Sequence, residues 1–519
     1  MPQLLSRRDD TGWLTPSMAD ILKQGTAALP AEDLIRSQVN EIQQMLAELE
    51  TPARIIDVRP SPSHILYIAR PEIVGRRSNR RPVTPAEIRR SLGTIAEKHS
   101  DWTLGFLPKV QDDDESIGIL LRTEEHQPLK LRQLVIGNAF LHHQSTLALV
   151  LGVTVDQQMI VRDLAALKHL LVVGSESARR HLIREILLTL ALFNTPAEMR
   201  FGLIGANIKT FDDFSSAPHI LGRLVEGTDN GVRLLDGMMK ESERRRQWLL
   251  ESQTESFQEY NVVLQKQGEP PVPRILIVLD SLSDPAWQEA NERWMPILYD
   301  LLVNGSKIGI HLLMTANQQS DVPENIEEVL DTQFIMRSAN PDLAENLKNF
   351  HSSALRFIDA FIIEKKASTS MTAVELCAVG DDEIQRLTTY WRQMATQRAQ
   401  DPKVQVRKTG FTDLLPEVDP EPRLAAPLPT RTRVGTLAKA TQALSSNDED
   451  RILGQAQALA AYLGWIGMGP LRDVLGLPSG EARAILAALQ NIGIIESGDS
   501  PVLRFVRLAE NPIEDDQQE

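Results

Sequence analysis

The chain has 519 residues, 42% of them hydrophobic, and a formal charge of −15; it is too long for one ordinary domain and apolar enough to fill two or three cores. An acidic balance of this size repels nucleic acid from the molecule as a whole, so any such contact needs local basic patches. One cysteine, Cys377, excludes an intramolecular disulfide framework and fits a reducing compartment, the cytoplasm by default. No stretch reaches the roughly 18 apolar residues of a membrane span, and MPQLLSRRDDTGW places no apolar run behind its charges as a signal peptide does.

Residues 1–32 mix Pro, Gly, Ser and charge and read as a flexible tail with at most one short helix. A helix is expected from near Asp33, its apolar stripe formed by Leu34, Val39, Ile42, Met45, Leu46 and Leu49, ending before Pro52. Short alternating strands follow, RIIDV and HILYI among them, and with the helix they define a small α+β domain over 33–151. Inside it GRRSNRRPVTPAEIRR gathers Arg76, Arg77, Arg80, Arg81, Arg89 and Arg90 with Glu87 as the one carboxylate. Such a cluster fits contact with a nucleic-acid backbone and equally a solvated charged loop. The run Asp112, Asp113, Asp114, Glu115 reads as a loop tip.

Between 152 and 400 the pattern becomes short buried strands separated by helices. The strands are LLVV at 170, FGLI at 201, ILIVL at 275, HLLM at 311 and QFIM at 333, spaced for crossover helices, so a mainly parallel α/β sheet is expected. Residues 401–449, rich in Pro, Arg and Thr, read as a linker. Residues 450–510 read as three short helices and a hairpin, a winged-helix domain, followed by an acidic tail over 511–519. Its third helix, SGEARAILAALQNIG, offers Arg483 as its one basic residue, fewer donors than a groove-reading helix usually carries. Arg483, Arg504 and Arg507 are the residues of this domain best able to reach phosphates, and a purely solubilising role explains them as well.

The stretch HLLVVGSESARRHLIREILLTLAL carries the central question. A strand runs into Gly174 and small residues, then into a helix with Leu182, Ile183, Ile186, Leu187 and Leu190 at helical spacing. That is the frame of a phosphate-binding loop, G-x-x-x-x-G-K-S/T, yet the residues are Gly174, Ser175, Glu176, Ser177, Ala178, Arg179, Arg180 and His181.

Several strings make the chain resemble the FtsK/SpoIIIE-type DNA translocases over about 33–508: DLAALKHLLVVG at 163–174, PHIL at 218, ESERRR at 241–246, EYN at 259–261, GIHLLMT at 309 and GDDEIQRLTTYW at 380–391. The resemblance implies a RecA-like P-loop NTPase domain over 152–400, preceded by the small α+β domain and followed by the winged helix. It implies ATP and magnesium as cofactors, double-stranded DNA as partner, and a hexameric ring. Where the family has glycine, lysine and a hydroxyl residue, this sequence has Arg179, Arg180 and His181. Arginine brings a Cβ and a long chain into space that glycine leaves to backbone N–H groups. Arg180 supplies charge on a planar head, and a neutral imidazole is a poor ligand for magnesium. In RILIVLDSLSD, Asp280 matches the family's magnesium aspartate, but Ser281 replaces the glutamate that polarises the attacking water. Asp284 falls on the following turn, Asn317 and Gln318 match a Gln-Arg pair, and NPDLAENL supplies no arginine finger.

The expectation is a degenerate FtsK-like protein, a pseudo-ATPase without efficient hydrolysis, with a remnant nucleotide site of Gly174, Ser175, Arg179, Arg180, His181 and Asp280. It associates with DNA through weak, nonspecific contacts, alone or in a mixed ring with an active relative. Two other readings stay open: an active ATP-dependent DNA translocase with a remodelled loop, and a protein-interaction scaffold derived from such an ATPase. No H-E-x-x-H, Cys-His ligand spacing or G-x-S-x-G elbow is present, so zinc and serine-hydrolase chemistry are not supported.

Overall fold

The computed structural model of the chain describes residues 6–9, 11–22, 30–75, 80–110, 115–123, 126–136, 140, 145–205, 207–347, 351–365 and 369–400, with short pieces at 456, 465–466, 484–485, 487–489 and 504–505. The chain divides into two compact units, residues 2–416 and a second made of Met1 and 417–519.

In the larger unit, the alternating segments that follow the first long helix pair as expected of half-buried strands. Strands β1 (Ala53–Pro60), β2 (Ile65–Pro71), β5 (Thr103–Leu107) and β6 (Ile117–Arg122) form an antiparallel sheet in the order β1-β2-β6-β5, while β3 (Ile73–Val74) and β4 (Arg81–Pro82) pair separately. One face packs under the helices Glu32–Glu48 and Pro85–Lys98 through Ile42, Leu46, Ile65, Tyr67, Ile88, Leu92 and Phe106. The second helix starts sharply because Pro85 pre-sets its first turn, Thr84 accepts from the Glu87 N–H, and the Glu87 carboxylate accepts from the Thr84 N–H.

Uninterrupted runs such as LLVV and ILIVL form strands buried on both sides. The large sheet contains β7 (Ala148–Thr154), β8 (Met159–Asp163), β9 (Leu170–Val173), β10 (Met199–Gly205), β11 (Val225–Glu226), β12 (Arg274–Asp280), β13 (Ile310–Ala316), β14 (Thr332–Met336), β15 (Ala360–Lys365) and β16 (Thr369–Glu375), in the order β11-β10-β12-β13-β9-β14-β15-β16-β7-β8. From β11 to β14 all neighbours are parallel; from β14 to β8 all are antiparallel. The five strands read from the sequence are therefore present and parallel, and the antiparallel extension was not anticipated. Leu171, Val173, Ile275, Ile277, Leu279, Ile310, Leu312 and Met314 point to one face, where the helices Thr228–Ser252 and Asn291–Asn304 cover them with Val232, Leu235, Trp294 and Leu298.

The antiparallel extension receives the other face of the four-stranded sheet: Leu66, Ile68, Leu107 and Leu120 pack on Phe357, Phe361 and Ala373. Polar contacts seal this junction. Glu375 accepts from Ser63 Oγ at 2.7 Å and Arg122 Nη2 at 3.2 Å, and the buried His64 donates from Nε2 to Val155 O at 3.2 Å.

The beginning of the chain, expected as a flexible tail, is seated on the last helix of this unit, Asp381–Gln400. Arg7 makes two bonds to Glu198 at 2.5 and 2.6 Å, Tyr390 donates to Leu14 O at 2.8 Å, Arg386 to Ile21 O at 2.8 Å and Arg398 to Thr11 O at 3.0 Å. Trp13, 7% exposed, packs edge-on against Trp391. No helix of the described residues is long and apolar enough to cross a membrane.

In the second unit, β17 (Trp465–Ile466) and β18 (Arg504–Phe505) pair antiparallel. The linker and most of the expected winged helix lie outside the described residues.

Candidate functional site

The ends of β9, β12 and β13 lie side by side, with β13 between the other two. Gly174 extends β9 by one rung, its N–H donating to Ala316 O at 2.9 Å. A Cβ on Gly174 would lie 2.5 Å from Met336 Cγ, so close packing against β14 is what requires glycine here. The helix Glu176–Phe193 then starts at once: Gly174 and Ser175 are the whole connection between strand and helix. Glu176 to His181, most of the stretch aligned with the phosphate-binding frame, are the first turns of that helix.

Arg179 points back from the helix into the space above the strand ends and is 3% exposed. Its Nη1 donates to Gly174 O at 2.6 Å and to the Asn317 side-chain oxygen, and its Nη2 reaches Asp280 Oδ1 at 3.3 Å. Thr315 Oγ1, on β13, donates to the same Asp280 oxygen at 2.5 Å. One guanidinium thus bridges acceptors at the ends of three strands, and one aspartate answers it. In an environment of low dielectric this pairing matters, because either charge alone would be costly to bury.

The other residues read from the sequence occupy distinct places. Arg180 is half-buried on the first turns of the helix, and Ser175 precedes the helix without capping it through its side chain. His181 Nε2 lies 2.7 Å from Cys377 O; since a carbonyl only accepts, the ring carries its proton on Nε2. Ser281 accepts from the Ser283 N–H at 3.2 Å. Asp284 caps the short helix Pro285–Glu289 by accepting from the Ala286 N–H at 2.8 Å. Asn317 donates its N–H to Ser283 Oγ at 2.6 Å, and Ser283 Oγ donates to Asp321 Oδ2 at 2.5 Å, which holds the segment after β13 in place.

One turn beyond His181, Glu185 is fully buried and accepts from the Cys377 thiol at 2.9 Å. Burial pushes the Glu185 carboxyl up to about 8, and burial together with Glu185 pushes the Cys377 thiol up. Arg184 pairs with Asp381 at 2.5 Å and Asp213 at 3.0 Å. The helix is therefore clamped over one turn, His181 to Glu185, to Cys377 and Asp381 just before and at the start of the helix Asp381–Gln400. Sequence reasoning missed this pair; its signal was the lone glutamate inside REILLTLAL, an apolar run without a partner in sequence.

The described arginines of the cluster lie elsewhere, at the start of β4 and on the helix Pro85–Lys98. Arg80, Arg81, Arg89 and Arg90 are exposed. Arg81 is paired with Glu87 through two bonds at 2.8 and 2.6 Å, and hydrogen bonding from Arg81 and Thr84 holds the Glu87 carboxyl down at about 2. Arg89 meets His351 Nε2 at 2.8 Å. Arg76, Arg77, Arg483 and Arg507 lie outside the described residues, and Arg504 is described in its backbone alone, within β18. Among the described residues no cluster of His, Cys, Asp or Glu is arranged to hold a metal ion.

Residues 130–350 match the FtsK/SpoIIIE family. The DNA translocase FtsK of Campylobacter jejuni subsp. jejuni serotype O:23/36 (strain 81-176) is 28% identical over 169 residues, 32% of this chain and 18% of that protein. The DNA translocase FtsK of Haemophilus ducreyi (strain 35000HP / ATCC 700724) is 22% identical over 425 residues, 72% of this chain and 42% of that protein. The chain thus spans less than half the length of these relatives. Solved structures with a distant likeness include the pCW3 conjugation coupling protein TcpA in monomer form with ATPγS, 13% identical with a TM-score of 0.42, covering 68% of this chain and 99% of that one. The cytoplasmic domain of the Thermomonospora curvata Type VII secretion ATPase EccC is 16% identical with a TM-score of 0.42, covering 51% of this chain and 34% of that one.

Proposed function

We propose, for a chain whose residues 130–350 belong to the FtsK/SpoIIIE family, that it is a pseudo-ATPase: an FtsK-like protein that associates with DNA or with a translocase ring and does not hydrolyse ATP efficiently. The observation that carries this reading is the Arg179 guanidinium seated on Asp280.

The residues present do not fit a magnesium–nucleotide complex. A phosphate cradle needs a loop whose N–H groups converge, whereas two residues join β9 to its helix and the next, Glu176, puts a carboxylate in the first turn. The aspartate that would hold magnesium already faces a fixed cation, and a second positive charge there would be repelled. His181 offers an N–H committed to Cys377 O in place of a hydroxyl oxygen. Ser281 supplies no base. Because cradle, metal and water-polarising base act together in phosphoryl transfer, losing all three leaves little turnover.

Calorimetry with magnesium and ATP, followed by phosphate release in the presence of duplex DNA, tests the reading. Absence of saturable binding and of DNA-stimulated release is the expected result. Turnover stimulated by DNA would establish the active-translocase alternative instead.

The DNA-association part draws on the relatives' name, DNA translocase, and on the exposed Arg80, Arg89 and Arg90. The pairing of Arg81 with Glu87 favours a second reading, a protein-interaction scaffold, because that charge is already answered within the chain. Binding to duplex DNA that falls steeply with salt supports the first; no binding at physiological salt supports the scaffold.

A further inference from the structure

The acceptors around Arg179 are arranged for one particular kind of cation. Gly174 O ends β9, Asp280 Oδ1 ends β12, and Asn317 Oδ1 follows β13. The two terminal nitrogens of a single planar group reach all three. Asp280 Oδ1 accepts from Thr315 as well, so the fourth partner joins β13 directly to β12. The set contains two neutral oxygens and one carboxylate, enough negative charge for a monovalent cation. A planar fork with fixed N–H directions satisfies such a set, whereas an ammonium is a point charge with rotating donors.

We infer that the Arg179 side chain is a resident ligand of a guanidinium-binding pocket, and that its occupancy ties the ends of β9, β12 and β13 into one fixed arrangement irrespective of nucleotide. This deepens the pseudo-ATPase reading and rests on the same site. Where a nucleotide-dependent motor changes contacts at its strand ends with each turnover, this chain keeps one set permanently made. An Arg179→Ala variant leaves the three acceptors facing a space of guanidinium shape, and free guanidinium is the ligand class that fills it.

The test is thermal unfolding of the full chain. Arg179→Ala should lower Tm by roughly 3–6 °C. Millimolar guanidinium chloride should then raise the variant's Tm saturably, while lowering that of the wild type slightly. Sodium chloride at equal ionic strength, or magnesium chloride, should raise neither. An unchanged Tm in Arg179→Ala overturns the inference, as does rescue by magnesium or sodium equal to that by guanidinium. Should the alanine variant fail to fold, Arg179→Lys keeps the charge without the fork: an intermediate Tm is expected, and a wild-type Tm overturns the need for a planar group. The two readings fail separately. Magnesium–ATP turnover by the wild type would sink the pseudo-ATPase, while an unmoved Tm in the variants would sink the resident ligand and leave the pseudo-ATPase standing.

Discussion

Arg179 and Arg90 are the same side chain used in opposite ways. Arg179 is buried at the ends of three parallel strands, with a carbonyl, an amide oxygen and a carboxylate around it. Arg90 sits exposed on a helix whose buried face is Ile88, Leu92 and Ile95. Burial converts a cation into part of the framework, because its charge must then be answered within the protein. Exposure leaves the charge available to partners and makes it nearly worthless to stability. The comparison separates what holds the strand ends together from what could touch a polyanion.

The largest effect should come from breaking the buried pair. Asp280→Asn leaves the guanidinium without its counter-charge and should cost about 3–5 kcal/mol in urea unfolding. A loss below about 1 kcal/mol, the range of exposed pairs, would mean that Arg179 simply moves out to solvent. Thr315→Val removes the hydroxyl donor to the same carboxylate and should cost about 1.5–3 kcal/mol; an unchanged midpoint would remove Thr315 from the network.

Glu185 allows a finer test on the same helix. Its carboxyl is raised to about 8, so the folded state keeps a proton that the unfolded state gives up above about 4.5. The stability this contributes is complete below the unfolded value and is lost as pH rises towards 8. The buried His219 and His311, lowered to about 3 by burial, and His169, lowered to about 4, act in the opposite sense and below about 6.5. Between pH 6.5 and 8 these histidines no longer offset the glutamate. The wild type should lose stability there with a slope of up to about 1.4 kcal/mol per pH unit, and Glu185→Gln should be flatter. Equal slopes would show that Glu185 is ionised in the folded state.

The smallest effect belongs to the exposed arginines. Arg80→Ala and Arg90→Ala should change stability by less than about 0.5 kcal/mol. If the patch meets DNA, each should lower the log–log salt slope of binding by about 1. An unchanged slope would return the patch to the role of a solvated surface.

Local pattern and period are readable from residues alone, and the parallel strands and the first long helix follow from them. LLVV, FGLI, ILIVL, HLLM and QFIM are all strands, and the stripe of Ile42 and Leu46 is buried as its spacing implies. The antiparallel extension was not legible, because β15 and β16 pair with each other and β16 then pairs with β7, more than 200 residues earlier in the chain. At the site, the three replacements at 179–181 were visible, and so was the crowding an arginine brings. Its consequence was not. Arg180, in the lysine's position, was the residue expected to bring charge, yet Arg179 sits on Asp280, since a helix starting at Glu176 turns residue 179 back over the strand ends. Gly174 was read as a remnant of phosphate chemistry, and its place against Met336 gives it a packing role that no spacing rule contains.

The seating of residues 6–22 on the helix Asp381–Gln400 bears on the order in which the chain can finish folding. Arg7, Trp13 and Leu14 leave the ribosome well before their partners Glu198, Trp391 and Tyr390. Trp13 and the buried Met18, Ile21 and Leu22 must therefore wait, apolar and uncovered, while nearly four hundred residues are made. At synthesis rates of about 5–20 residues per second that wait lasts tens of seconds. A stretch made early in this unit is among the last of it to find its place, and its closure reports that the unit has been completed.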